Sequence, residues 1–507
     1  MSFSQTIEKF NSCKLKAFAE KAFSSYVFPF VTAAVALLST GFGLEPLAIW
    51  YICLCGAAIC LCCKDVSPVI CLFVFMHVIV SLEHSPYQVL GTGNPDYMTT
   101  PAFLAQATVA ILLFAGCAVY RIIDSIIKHR FKITPIFIGI CAYFVGLSLN
   151  GLFSNKYYYM DTLYGLGMGA IILFMFVFIS GNVVVNEGTY KRIAVVFTAF
   201  CLTLAAQLLI TYLTLGVIQD GIIRRGLIQF GWGTYNQFGM VITMCIPAWF
   251  YLAAKCKLGY FYLIGVPFNL LVVVFGMSRQ AILMAGILTV LCVIWYLIIA
   301  PKKYKIYGGS FMLVAAVAAL IVFLVNMEYF SVVFKDLTVS FSTGSGRTGI
   351  WKDAIKKFLH NPVFGNGFYD LTATWHETPG YIGEGYGFTE VIPFMCHNTL
   401  VQLLFACGLV GFVAYIIHRA QTVVSLFKNP DAGRFFLTFT ICGILLTSLL
   451  DNHFFYPFPL FIYAPLLAVF VVSEKKATSD GEKKEDIREV ELKEDNTPNK
   501  DCVIKAE

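Results

Sequence analysis

Charge is scarce in this chain: Asp, Glu, Lys and Arg make up 13% of its 507 residues, about half the share in a soluble globular domain. That shortage excludes an ordinary water-soluble fold. Phosphate-binding P-loops, nucleotide-binding glycine fingerprints and metal-ligand spacings are absent as well, so no resident cofactor or metal is expected. The 17 cysteines form no disulfide framework. Most lie inside apolar runs, as Cys53, Cys55, Cys60, Cys62, Cys63, Cys71, Cys201 and Cys292 do, where a thiol acts as a small packing residue. A net charge of +6 is no signature of nucleic-acid binding, because most Lys and Arg sit in short loops between apolar runs.

What is abundant is apolar and aromatic: 58% hydrophobic residues, with 47 Phe and 26 Tyr. Runs of about 17–25 apolar residues recur, the length a helix needs to cross about 30 Å of hydrocarbon. Fourteen such runs are expected as spans: 22–41, 46–63, 66–82, 101–120, 133–153, 163–185, 193–218, 237–254, 258–276, 280–300, 307–326, 394–417, 435–450 and 457–473. The fold expected is an all-α polytopic membrane protein. The segment 1–21 is polar and amphipathic, and the first apolar run reads as a retained span rather than a cleaved signal. Residues 22–326 hold spans one to eleven, 327–393 a large loop with short helices, 394–473 the last three spans, and 474–507 a charged, disordered tail.

Positive charge sets the orientation. With the N-terminus cytoplasmic, the inner segments collect Lys14, Lys16 and Lys21, then Lys64, then Arg121, Lys128, Arg130 and Lys132. Further along they collect Lys191, Arg192, Lys255, Lys257, Lys302, Lys303 and Lys305, and finally His418, Arg419, Lys428 and Arg434. Both termini are therefore expected inside, and the large loop 327–393 outside.

The unusual polar groups then fall on the outer face. Arg279 stands between two apolar runs in Gly276-Met277-Ser278-Arg279-Gln280, and a guanidinium at that depth requires an anion or acceptors. Arg347 follows Gly344-Ser345-Gly346 and precedes an amphipathic helix carrying Ile350, Ala354 and Phe358, so it lies near a helix N-terminus suited to anions. Asn361-Pro362 should stop that helix. His397 marks the return into the membrane, where it could act as a general base, or simply cap the helix or anchor it at the interface. Arg224 and Arg225 precede Gly231-Trp232-Gly233-Thr234-Tyr235-Asn236-Gln237-Phe238-Gly239, which suits a re-entrant turn or a sugar-stacking surface. Asp451 and His453, in a short outer turn, could line the same cavity. Paired arginines without a metal site suit a diphosphate, whose oxygens they bind bidentately.

These motifs, in this order, resemble the O-antigen ligase and O-antigen polymerase (Wzy-type) superfamily. The resemblance rests on Ser345-Gly346-Arg347-Thr348-Gly349-Ile350-Trp351, on Asn361-Pro362-Val363-Phe364-Gly365-Asn366-Gly367, and on His397-Asn398-Thr399-Leu400-Val401-Gln402 followed by Gly408-Leu409-Val410-Gly411. Ser278-Arg279 and Tyr235-Asn236-Gln237-Phe238-Gly239 are similar to its shorter preceding motifs. The specific match runs from about 225 to 415. It implies a GT-C-like, metal-independent, inverting glycosyltransferase of the bacterial cytoplasmic membrane that uses an undecaprenyl-diphosphate-linked oligosaccharide as donor. Arg279 and Arg347 would then bind the diphosphate, His397 would deprotonate or orient the acceptor hydroxyl, and Asn398 would position that histidine. Arg225, Trp351 and Asn236 would be further substrate contacts. A polymerase of O-antigen, capsule or exopolysaccharide units is the favoured reading, and a ligase passing finished glycan to a lipid or protein acceptor the nearest alternative. A transporter of lipid-linked sugar is the rival class, disfavoured because the candidate groups cluster on one face. Membrane lipids, and a flippase or chain-length regulator, are the further partners expected.

Overall fold

The computed structural model describes residues 14–79, 100–154, 159–219, 222–223, 227–230, 232–325, 327, 347–368 and 396–474. Helix lies in each of the fourteen apolar runs. The first eight helices are α1 Lys14–Phe23, α2 Phe28–Phe42, α3 Glu45–Cys62, α4 Val69–Ile79, α5 Pro101–Ile127, α6 Pro135–Ser148, α7 Tyr159–Ser180 and α8 Glu187–Thr214. Two hairpins of two-residue strands follow, β1 Ile218–Gln219 with β2 Ile222–Ile223, and β3 Gln229–Phe230 with β4 Gly233–Thr234. Then come α9 Tyr235–Thr243, α10 Ile246–Lys255, a 3-10 turn Gly259–Ile264, α11 Gly265–Phe275, α12 Arg279–Ile299 and α13 Lys302–Val325. The chain closes with α14 Arg347–Phe358, α15 Thr399–Lys428, α16 Ala432–Thr447, a 3-10 turn His453–Phe455 and α17 Pro457–Glu474.

Among the described residues, seven helices are long and apolar enough to cross a membrane singly, or eight if α1 and α2, bent by 75° at their junction, count as one. Five more apolar helices are shorter, at 10–17 residues. The 14 residues of α6 extend only about 21 Å at about 1.5 Å per residue, short of about 30 Å of hydrocarbon. This is a multi-pass, all-α membrane protein whose helices differ widely in reach.

Local chemistry explains where the helices begin. Thr100 and Thr134 each cap a helix whose next residue is proline, accepting from Phe103 N at 3.3 Å and Phe137 N at 3.2 Å. Asn186 and Thr189 form a reciprocal capping box for α8. Helices then approach through small residues: a Cβ on Gly146 of α6 would lie 2.8 Å from Gly411 Cα of α15.

The feature that shapes the fold around the Asn361–Gly367 segment is a break in α15. Gly408 has φ 61° and ψ −160°, outside helical space, so neighbouring backbone groups lose their helical partners. The Asn361–Gly367 segment supplies replacements. Asn366 N donates to Phe405 O at 2.7 Å and Gly367 N to Ala406 O at 3.0 Å. In return Leu409 N donates to Pro362 O at 2.8 Å and Val410 N to Val363 O at 3.1 Å. Irregular backbone inside a membrane protein survives only when so satisfied. Glycine is required on both sides, because a Cβ on Gly365 would lie 2.4 Å from Ala406 backbone and one on Gly408 2.4 Å from Val363 O. The motif thus fastens the segment after α14 into a helix otherwise far away in sequence.

His418 and Arg419 correct an expectation. Charge alternation places them with an inner loop, but both lie within α15, and His418 is 1% exposed. The Arg419 guanidinium sits 4.6 Å from the Tyr415 and Tyr463 ring centres and 4.9 Å from that of Phe454, so aromatic faces hold a charge that composition assigned to water.

Candidate functional site

Four chain segments converge at the N-terminal ends of α12 and α15. The first is the α11–α12 turn. Met277 has φ 57° and Ser278 is extended, which turns the chain sharply enough to make Arg279 the first residue of α12. Ser278 Oγ donates to Asn236 Oδ1 at 3.0 Å, joining the starts of α9 and α12. Gly239 permits that approach, since a Cβ there would lie 2.5 Å from Ala281 Cβ. Asn236 is therefore a brace beside Arg279.

The second is α14. Arg347 is its first residue, and Trp351 on the following turn donates from Nε1 to Cys396 O at 2.8 Å. That bond fixes the carbonyl immediately before His397. The third is Cys396-His397-Asn398. Cys396 N donates to Gln402 Oε1 at 2.8 Å. His397 adopts φ 51°, a left-handed conformation costly for a residue with a Cβ and typical of over-determined sites. Asn398, rather than His397, caps α15: its Oδ1 accepts from Leu400 N at 2.9 Å and Val401 N at 3.1 Å. Its Nδ2 donates to Leu449 O at 2.9 Å.

The fourth is the turn Asp451-Asn452-His453, which is buried rather than solvated, with exposures of 6%, 0% and 1%. His397 Nδ1 lies 3.1 Å from Asp451 Oδ1, with the imidazole 31% and the carboxylate side chain 8% exposed. Asn452 locks the turn in place. Its N–H donates to Asp451 Oδ1 at 2.8 Å, its Nδ2 to Gln402 Oε1 at 2.8 Å, and its Oδ1 accepts from Asn398 N at 2.9 Å. Gln280, next to Arg279, donates from Nε2 to Asp451 Oδ2 at 3.3 Å and lies 3.2 Å from His453 Nε2.

Electrostatics give the cluster its state. Burial alone would raise the Asp451 pKa, but the His453 charge, the hydrogen bond and charge of His397, and the Asn452 N–H together hold it well below the usual carboxylate range. Burial lowers the His453 pKa, and the charges of His397 and Arg347 push the same way against the attraction of Asp451. The His453 cation therefore contributes only in acid, and near neutrality the His397 and Asn452 donors keep Asp451 ionised. An ionised Asp451 accepts from His397 Nδ1–H, and that tautomer carries its lone pair on Nε2. The influence of Arg347 on His453 also places the α14 start within electrostatic reach of the cluster.

Arg279, Arg347, Trp351, His397, Asn398 and Asn236 thus border one locality, joined by Asp451. Arg225, and with it Arg224, lies outside the described residues. The idea of a sugar-stacking surface at 231–239 is corrected: Trp232, Phe230 and Phe238 are 6%, 1% and 0% exposed, with Phe230 and Phe238 stacked at 4.7 Å. Those rings are satisfied by one another and by Gln207, which accepts from Trp232 Nε1 at 3.2 Å. Sequence reasoning missed Gln280, Asn452 and Gln402. The available signal was polar residues persisting inside or between apolar runs, with no local clue to their partners. Among the described residues, no group of three or more His, Cys, Asp or Glu could hold a metal ion.

Residues 264–416 match the family model described as O-antigen ligase. This region is similar to the O-antigen ligase family. It runs from the end of the 3-10 turn before α11 into α15, and so contains Arg279, Gln280, Arg347, Trp351, His397, Asn398 and the Gly408 break. Asn236 and the Asp451 turn lie outside the matched stretch yet are bonded to residues within it. No curated protein matches the chain at a significant level. The family supports glycan transfer of the O-antigen ligase and polymerase type in a membrane, with a lipid-linked glycan as donor and a separate acceptor.

Proposed function

We propose that this protein joins lipid-diphosphate-linked glycan units at the outer face of the bacterial cytoplasmic membrane, as a polymerase of O-antigen, capsule or exopolysaccharide repeats. The observation that carries the reading is the His397–Asp451 pair, 3.1 Å apart, set beside helices that open on Arg279 and Arg347. In the proposed reaction the acceptor hydroxyl oxygen attacks the anomeric carbon of the donor from the side opposite the diphosphate. The carbon–oxygen bond to the diphosphate breaks, the configuration inverts, and the lipid diphosphate leaves with the bonding electrons. His397 Nε2 takes the hydroxyl proton, a role worth about 10²–10⁴-fold. Asp451 holds the tautomer and stabilises the imidazolium. Arg279 and Arg347 bind the diphosphate and neutralise charge as it leaves, without a metal.

Asn398 positions His397 from the α15 cap, while Trp351 and Asn236 brace the two arginine-bearing starts and border the glycan. Arg225 is proposed as an additional substrate contact. The chain is proposed to cross the membrane fourteen times with both termini inside, helped by a flippase and a chain-length regulator. The matched family description favours a second reading, a ligase that transfers finished glycan to a lipid or protein acceptor.

The test is a deletion strain complemented with Arg279→Ala, Arg347→Ala or His397→Ala, each at normal membrane abundance. The expected result is loss of long polysaccharide with accumulation of the lipid-linked unit outside. Single repeats on the final acceptor identify a polymerase, and full-length chains left on the carrier identify a ligase. Accumulation on the inner face, or wild-type glycan from all three variants, would overturn the reading.

A further inference from the structure

Gln280 is 6% exposed and makes one of the few side-chain links between α12 and the 451–453 turn. Its amide orientation is fixed by what it faces. Nε2 lies 3.3 Å from Asp451 Oδ2 and 3.2 Å from His453 Nε2, whereas Oε1 has no partner among the described residues. The reverse orientation would set a carbonyl oxygen against a carboxylate. An amide NH2 carries two hydrogens, and here two acceptors stand ready for them, the second oxygen of Asp451 and the ring nitrogen of His453. Accepting at Nε2 leaves His453 neutral with its proton on Nδ1. His453 Nε2 is then 3.9 Å from Asp451 Oδ2, beyond a hydrogen bond, and Asp451 remains available to His397 through Oδ1. The residue immediately before Gln280 is Arg279, so one backbone step separates this amide from the proposed diphosphate contact.

We propose that Gln280 is a positioning residue for transfer: its amide ties the Arg279 end of α12 to the His397–Asp451 pair and keeps His453 neutral beside that pair. The proposal rests on the glycosyl-transfer reading above. It makes the donor side and the acceptor-base side one rigid unit, so that a leaving diphosphate at Arg279 and an attacking hydroxyl at His397 hold a fixed separation. Gln280 itself touches neither reactant.

The groups that set the pH response are those facing the pair. His397, His453 and Tyr456 act on Asp451 or are acted on by it, Arg347 acts on His453, and His453 acts on His77. Removing the Gln280 amide deprives Asp451 of a donor, which makes it more basic and tightens its hold on the His397 proton. The pair then loses its working state at a higher pH.

The experiment uses the full-length protein in proteoliposomes, with lipid-linked oligosaccharide extracted from the deletion strain as donor and acceptor. Gln280→Met keeps the size of the side chain and removes the amide. Its kcat is expected to fall about ten- to hundredfold, the scale of a hydrogen bond to a charged group. The apparent KM for donor should stay within about threefold, and the acid limb of the kcat profile should move up by about half a pH unit or more. Wild-type kcat and profile in Gln280→Met, or a change in KM alone, would overturn the proposal. Should Gln280→Met not accumulate, Gln280→Asn takes its place: its shorter amide cannot span both acceptors, so wild-type behaviour there overturns the proposal equally. His397→Ala run in parallel separates the two ideas. If it transfers glycan at the wild-type rate, the proposed site at His397 fails. If it is inactive while Gln280→Met is unchanged, only the positioning role fails.

Discussion

Two polar clusters in this protein use similar residues for opposite ends. In the cluster around Asp65, each charge is closed off: Asp65 binds Arg192 Nη2 at 3.0 Å and Val184 N at 3.1 Å, and also accepts from Ser67. Arg434, 1% exposed, is likewise enclosed by Ser425 at 2.6 Å, Asn429 O at 2.7 Å and the Phe470 ring. In the cluster around Asp451, the carboxylate is held by amides and histidines, and among the described residues no arginine or lysine is seen bonded to it. A carboxylate spent on an arginine is structural, since breaking the pair strands a charge. A carboxylate spent on a histidine sets a tautomer, and the imidazole keeps a nitrogen for chemistry. The two clusters differ in what the acid is paired with more than in how deeply it is buried, and the proposed mechanism rests on that difference.

The comparison breaks first at His397. His397→Ala should reduce transfer per molecule by about a thousandfold and leave membrane abundance unchanged, measured as glycan formed per unit of protein. Asp451→Asn keeps the shape but removes the charge, and about a hundredfold loss is expected. Because the Asp451 pKa lies well below the usual range, the carboxylate is ionised throughout pH 6–8, and the loss should be constant across that interval. A loss that disappears at either end of the interval would show that the charge is not what matters.

Stability provides the contrasting half. Gly408→Ala places a Cβ against Val363 O in a left-handed backbone and should cost about 2–5 kcal/mol, seen as low abundance and a lower Tm. Asp65→Asn, at a pair whose side chains are 22% and 15% exposed, should cost about 1–2 kcal/mol after allowing for solvent screening, with turnover per molecule within about threefold of wild type. A large fall in turnover from Asp65→Asn would erase the distinction between the two clusters.

The smallest effect expected is at His453. Its folded pKa is lowered by burial, so between that value and the unfolded value of about 6.5 the unfolded state binds more protons. Stability therefore rises with pH through this window and falls as pH drops from 7 towards 5. His453→Asn should flatten the Tm against pH over that interval by a few degrees. Asp451 contributes in a separate window: its folded pKa is depressed, so its stabilisation is present above about pH 4 and is lost as pH falls below that.

Helix positions were legible in the sequence because hydropathy is a local property, and Arg279, Arg347 and His397 stood out as charge or imidazole at the margins of apolar runs. What lay out of sight was long-range. The Asp451 partners are 54 and 171 residues away, and nothing in Leu450-Asp451-Asn452 announces that the turn folds inward. Gly408 sits in an unbroken apolar run, so the break in α15 shows only when the Asn361–Gly367 segment is seen bonded into it. Arg419 was misassigned to a loop because charge was equated with water, whereas three aromatic rings surround it.

The central claim is tested most directly by reconstituting the purified protein with lipid-diphosphate-linked oligosaccharide and following glycan growth and release of lipid diphosphate together. The expected result is one lipid diphosphate released per linkage formed by the wild-type protein, and neither product from Arg347→Ala or His397→Ala. Equal rates for the wild type and both variants, or movement of intact lipid-linked glycan across the bilayer with no linkage formed, would contradict it.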